Sequence, residues 1–236
     1  MNKVLQTLRY LAKSSSKGII LGFLVILSTI AISDLVYFLT DYAYNTVHPV
    51  VTLMEPFEVT AGIFALLFGL ALFITTFKVA LANGISRKTF LLANLPASWI
   101  TAAAFSIFNL VVVKVHGLFW PITTIIGWNY PQIGWAGLLV FQFALYFLLI
   151  VAGWFIALAY YRSSTLVKWA ISLAPFGIFA LLKVVNAQTG GAVFQAIFDY
   201  LQASMAMDRA PLTLLAYAVL LCGLVYLLIR RAPLKD

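Results

Sequence analysis

Six apolar runs, each of bilayer-spanning length, leave this chain very little freedom of fold. A helix needs about 20 apolar residues to cross a hydrocarbon core. The runs cover 19–39, 57–77, 96–113, 133–159, 166–185 and 211–229. Hydrophobic residues make up 64 % of the 236 residues and charged ones 9 %. A soluble domain is about half apolar and a quarter charged, so a water-soluble globule is excluded. The expected fold is an all-α polytopic membrane protein with six transmembrane helices. The fourth run is long enough to tilt or project, and the fifth carries Pro175 and Gly177, which should bend it.

The basic residues sort by side. Lys3, Arg9, Lys13 and Lys17 precede the first run; Lys78, Arg87 and Lys88 follow the second; Arg162 and Lys168 follow the fourth; Arg230, Arg231 and Lys235 follow the sixth. These are 12 of the 15 Lys and Arg, while Lys114, Lys183 and Arg209 fall on the other side. Six of the seven acids (Asp34, Asp41, Glu55, Glu58, Asp199 and Asp208) lie toward that other side. Basic residues concentrate on the cytoplasmic side of membrane proteins. Both termini are therefore expected inside, and the net charge of +8 reflects topology rather than nucleic-acid binding. A cleaved signal over 19–32, ending near Ala31-Ile32-Ser33, is a rival reading. The apolar run continues to Leu39, which argues against it.

On this scheme the break "NGISRK" between the second and third runs is cytoplasmic. Gly84 suits the end of one helix, Ser86 suits the N-cap of the next, and Pro96 should start or kink the third span. Before the first run, Val4, Leu5, Leu8, Leu11 and Ala12 recur at helical spacing, with Gln6, Arg9 and Lys13 on the other face. That pattern predicts a basic interfacial helix over 1–17, or else an ordinary charged tail. The bundle would then occupy 18–229 and a cytoplasmic tail 230–236, all within one transmembrane domain. Between the fifth and sixth runs, Gly190-Gly191 breaks the chain. Phe194, Ile197, Phe198, Leu201 and Met205 then form an apolar stripe beside Gln195, Asp199 and Gln202. This outer amphipathic helix would lie on the surface or dip inward within protein.

Few residues suggest chemistry. His48 and His116 stand in no zinc-binding frame, and there is no Gly-x-Ser-x-Gly nucleophile and no phosphate loop. The lone Cys222 is a packing residue. Glu55 and Glu58 flank the start of the second span, where acids favour the helix N-terminus. Asp34 is the one acid clearly inside an apolar run; it lines an outer aqueous cavity or marks the interface. Asn109 and Gln142 lie within spans three and four, as interhelical hydrogen-bonding groups or as part of a path with Asp34.

The segment "ALANGISRKTFLLANL", together with the span count, the basic N-terminal helix and the outer amphipathic helix, resembles the membrane subunit of bacterial type-2 ABC exporters. The resemblance implies a permease in the bacterial plasma membrane that pairs with a second permease copy or sister. It would dock two separate ATPases that hold the ATP and magnesium, with no cofactor and no enzymatic site of its own. Carried onto this chain, ATPase coupling falls on Asn83, Gly84, Ile85, Ser86, Arg87, Lys88, Thr89 and Phe90. Arg87 and Lys88 would meet acidic or carbonyl groups of the ATPase, and Phe90 would bury against it. A smaller contact falls on Tyr161, Arg162 and Ser163. The implied cargo is an amphipathic peptide or lipophilic drug. A substrate-capture subunit of an importer and a non-transporting immunity or structural protein are the alternatives.

Overall fold

The computed structural model describes residues 3–44, 57–118, 126, 132–193, 195–196, 199–200 and 209–230. Among these residues the chain is helical, with no strand. Six long helices succeed one another: α1 (Lys3–Tyr44), α2 (Phe57–Ala82), α3 (Arg87–His116), α4 (Trp135–Arg162), α5 (Thr165–Gln188) and α6 (Ala210–Arg230). Among the described residues, five stretches are long and apolar enough to cross a membrane: Arg9–Thr29, Glu58–Ala82, Arg87–Val115, Trp135–Arg162 and Ala210–Arg230. The expected fifth span falls on the helix α5. It carries Lys168 and Lys183 and packs sparsely, chiefly against α4.

The core is built on α2 and α4, the most extensively packed pair. They run parallel. Phe73 lies 5.4 Å from Trp154 between ring centroids, Phe77 6.2 Å from Tyr161, and Glu58 contacts Gln142. At the crossing, Gly69 faces the Ile150 backbone and Gly153 faces Leu66 and Leu70. A Cβ added at Gly153 would stand 2.7 Å from the Leu70 amide nitrogen. Small residues let membrane helices touch backbone to backbone, where dispersion replaces the missing hydrophobic drive. α6 lines up with α4 in the same direction. Leu214 and Ala210 cluster with Phe141 and Ala144 at one end, and Arg162 donates to the Leu228 carbonyl at the other.

α1 is one unbroken helix of 42 residues, about 63 Å at 1.5 Å per residue. This corrects the expected division at residue 17, because no break separates an interfacial helix from the first span. The cause is packing. Thr7 and Leu11 are buried against the bundle instead of resting in an interface, and the Ser16 hydroxyl bonds back to the Lys13 carbonyl at 2.8 Å, inside the helix. The register also differs from the expected one. A Cβ at Gly18 would lie 3.0 Å from the Phe68 ring, and one at Gly22 would strike Phe64 and Phe105. α1 therefore runs antiparallel to α2 and parallel to α3, and its stretch long and apolar enough to span is Arg9–Thr29, roughly ten residues nearer the N-terminus than 19–39.

Two further expectations concern breaks. α3 begins at Arg87, so Pro96 lies inside the helix and does not start it. The chain does turn at Gly190 and Gly191, both with positive φ (61° and 95°). Beyond them residues 192–193, 195–196 and 199–200 are helical. Phe194, Ile197, Phe198, Leu201 and Met205 of the expected stripe lie outside the described residues. The Tyr200 hydroxyl is 3.4 Å from that of Tyr217, about two turns inside the start of α6.

The glycine crossing makes a sharp prediction. Gly153→Ala should destabilise the detergent-solubilised protein by about 1–3 kcal/mol, as overpacking does. Gly223 has open space around its Cβ position, so Gly223→Ala should be neutral or stabilising by up to about 1 kcal/mol. Thermal unfolding midpoints of the two variants check the difference in sign.

Candidate functional site

The elbow joining α2 to α3 is four residues long, Asn83 to Ser86. Its conformation follows from its sequence. The Ile85 amide donates to the Ala80 carbonyl and the Gly84 amide to that of Leu81, both at 3.0 Å. This is the paired closure of a Schellman turn, with Gly84 at φ 70°, where a side chain would be strained. Ser86 then caps α3: its hydroxyl accepts the Thr89 amide at 3.1 Å and lies 2.8 Å from the Thr89 hydroxyl. The stop at Gly84 and the cap at Ser86 are where the sequence placed them.

The elbow's side chains divide into those turned inward and those left outside. Phe90 is 0 % exposed, set 5.5 Å from Phe73 and 5.4 Å from Phe77 between ring centroids. It is consumed within the chain and has no surface to offer a partner, contrary to the role the resemblance implied. Arg87 reaches the last residue of α6, donating to the Arg230 carbonyl at 2.8 Å. Asn83, Gly84, Ser86 and Lys88 are exposed, while Ile85 and Thr89 are half-buried. Asn83 donates back to the Val79 carbonyl at 2.7 Å. The tip is therefore rigid, and it is tied to α2 and α3 through Phe90 and to α6 through Arg87. The second break is similarly committed. Tyr161 is buried beside Phe77, Arg162 bonds α6, and the Ser163 hydroxyl bonds the Ala159 carbonyl at 2.6 Å.

At the opposite end of the bundle lies a buried polar seam. Glu58, in the first turn of α2 and 5 % exposed, accepts the Ile126 amide at 2.9 Å and the Gln142 side-chain amide at 3.1 Å. One helical turn further along α4, the Tyr146 hydroxyl accepts from Asn109 at 3.2 Å. The carbonyl oxygens of the Asn109 and Gln142 side chains have no partner. Two of the three expected path residues thus meet in one seam. Asp34 does not share that level: the α1–α3 register sets Ile26 beside the seam and Asp34 about two turns beyond it. The Asp34 side chain lies outside the described residues. Glu58 is a seam residue as well as the helix-end acid its sequence position suggests. Tyr146 joins the seam without having been expected there, although its spacing of four from Gln142 places both on one face.

The seam is buried, and it fastens α2, α3 and α4 together. A second polar spot, nearer the elbow, is a cavity of about 20 Å³ lined by Leu11, Thr76, Asn94, Ser98, Thr101 and Trp154, among others. The Asn94 amide nitrogen there has no partner, and the space suits about one water molecule. Among the described residues, no three His, Cys, Asp or Glu side chains group as a metal site.

Removing the carboxylate should expose the seam's role. Glu58→Ala strands the donors of Gln142 and Ile126 and should cost about 1–3 kcal/mol. Glu58→Gln keeps one acceptor and should cost less. Denaturation midpoints in one detergent give the comparison, and equal losses would contradict the hydrogen-bonding account. No protein-family model, curated protein or solved structure matches this chain.

Proposed function

We propose that the chain is the permease subunit of an ATP-driven exporter in the bacterial plasma membrane, crossing six times with both termini in the cytoplasm. The observation that carries this reading is the elbow. It is a short, capped, outward-facing tip whose exposed groups are Asn83, Gly84, Ser86 and Lys88, and whose neighbours Phe90 and Arg87 are locked into three helices. A push on such a tip is delivered to α2, α3 and α6 together, which is what an ATPase docked beneath a permease requires. The likeness of "ALANGISRKTFLLANL" to the corresponding stretch of type-2 exporters supports the same assignment.

The alternation of helix direction also supports it. Lys78, Arg87, Arg162 and Arg230 gather at one end of the bundle, where Lys78 stands 5.7 Å over the Tyr161 ring. Glu58 lies at the other end. A basic end facing the cytoplasm agrees with the usual charge bias. α5 supplies the sixth crossing. Its exposed Leu166, Trp169, Leu173 and Leu181 offer apolar surface to a second permease. The cavity at Asn94 is far too small for cargo, so the path for an amphipathic peptide or lipophilic drug opens between the two permeases. ATP and magnesium are bound by the ATPase.

The full chain, purified from its native membrane, should bring down a phosphate-loop ATPase. Lys88→Glu should abolish that association while leaving the permease melting as before, because Lys88 is exposed. Arg87→Glu should both weaken association and lower stability, because it also breaks the bond to α6. Undiminished capture by the Lys88 variant, or no ATPase at all, sinks the reading.

A further inference from the structure

We propose that the cavity at Asn94 is a binding site for one structural water molecule. The water accepts from the Asn94 side-chain amide and donates to hydroxyl oxygens among Thr76, Ser98 and Thr101. The site begins in the periodicity of α3. Asn94, Ser98 and Thr101 recur at spacings of four and three, so the helix turns all three the same way. That face is inside the bundle: Asn94 is 8 % exposed, Ser98 4 % and Thr101 2 %. α2 brings Thr76 to the same cavity, also buried, while Leu11 of α1 and Trp154 of α4 supply apolar wall. The space enclosed measures about 20 Å³, and about 10–15 Å³ is enough to admit one water molecule.

Polarity selects the occupant. The Asn94 side-chain nitrogen has no partner, and a buried donor in that condition is costly. It requires an acceptor. The three hydroxyls have already committed their hydrogens within their own helices. Thr76 donates to the Leu72 carbonyl, Ser98 to that of Leu95 at 2.8 Å, and Thr101 to that of Ala97 at 2.9 Å. What remains on each is lone pairs, which require a donor. An anion would suit the amide and be repelled by the hydroxyl oxygens; a cation would meet the reverse. An apolar occupant would satisfy neither. Water donates and accepts, and a buried water makes about three such bonds. Turning the amide about exchanges its donor for an acceptor, and water serves that arrangement equally. Asn94 stands one helical turn beyond Phe90, so the bound water is a buried polar fastening near the elbow, as the Glu58 seam is at the opposite end.

Radiolytic footprinting of the full chain in detergent tests the site. Brief X-ray pulses generate hydroxyl radicals from bound water, and mass spectrometry reads which side chains they oxidise. Phe73 and Trp154 line the cavity and should be oxidised although both are buried. Phe77 and Phe90, as deeply buried but outside the lining, should not. Asn94→Leu removes the amide and fills the space, so the oxidation of Phe73 and Trp154 should be lost. Thr76→Val combined with Thr101→Val keeps the shape and strips two acceptors; the oxidation should fall there too, which decides the matter should the leucine variant fail to fold. Melting midpoints verify folding. Phe73 and Trp154 no more oxidised than Phe77 and Phe90 in the parent chain, or oxidation undiminished in the folded variants, overturns the proposal. No ATPase enters the measurement, so its outcome is separate from that of the export reading.

Discussion

The contact between Gly69 on α2 and Gly153 on α4 sets the geometry of the whole bundle. In lipid the tails are as apolar as any side chain, so burying leucine against leucine gains little. Helices associate where backbones can approach closely, and these two glycines provide the place. Once α2 and α4 run parallel at that distance, the side chains above and below the crossing have fixed partners. Toward the basic end, Phe73, Phe77, Trp154 and Tyr161 close into an aromatic layer, and Phe90 completes it from α3. Toward the other end, Gln142 is carried to Glu58.

The same pair of helices therefore links two chemically different ends. At one end the joint is made of rings, which pack by shape and tolerate small slides. At the other it is a buried carboxylate with directed hydrogen bonds, which tolerates little displacement because a stranded donor is costly in an apolar surrounding. The unpartnered carbonyl oxygens of Asn109 and Gln142 mark where a shifted arrangement has hydrogen-bonding capacity to spare.

Much of this was legible in the residues. Hydropathy alone gives the helical class and locates α2, α3, α4 and α6, because long apolar runs have one viable backbone conformation in lipid. The turn at Gly84 and the cap at Ser86 were legible because both follow from local chemistry that needs no tertiary information. Glu58 was not, because an acid in the first turn of a helix already has a sufficient local explanation. Only the placement of Gln142 on a neighbouring helix reveals the second one. Phe90 was misassigned for a related reason: a phenylalanine beside a polar break looks equally suited to a partner's groove and to its own core, and only the positions of Phe73 and Phe77 decide between them.

The register of α1 is where two physical demands conflict. Charge sorting places Arg9, Lys13 and Lys17 outside the hydrocarbon, because a lysine at the centre of a spanning helix costs about 2.5–3.5 kcal/mol. Packing favours the other position. Gly18 and Gly22 fit against Phe68, Phe64 and Phe105, Phe23 stacks on Phe108 with centroids 4.0 Å apart, and Leu11 and Ile26 are buried. Sliding α1 by ten residues to satisfy the charges would put Leu21 in place of Leu11 and carry both glycines away from the rings that need their missing Cβ atoms. Ser28 and Ile32 would then stand where Gly18 and Gly22 meet Phe68 and Phe64, and the helix would have to move off the bundle. The packed register prevails, and Arg9, Lys13 and Lys17 keep to the exposed face of α1.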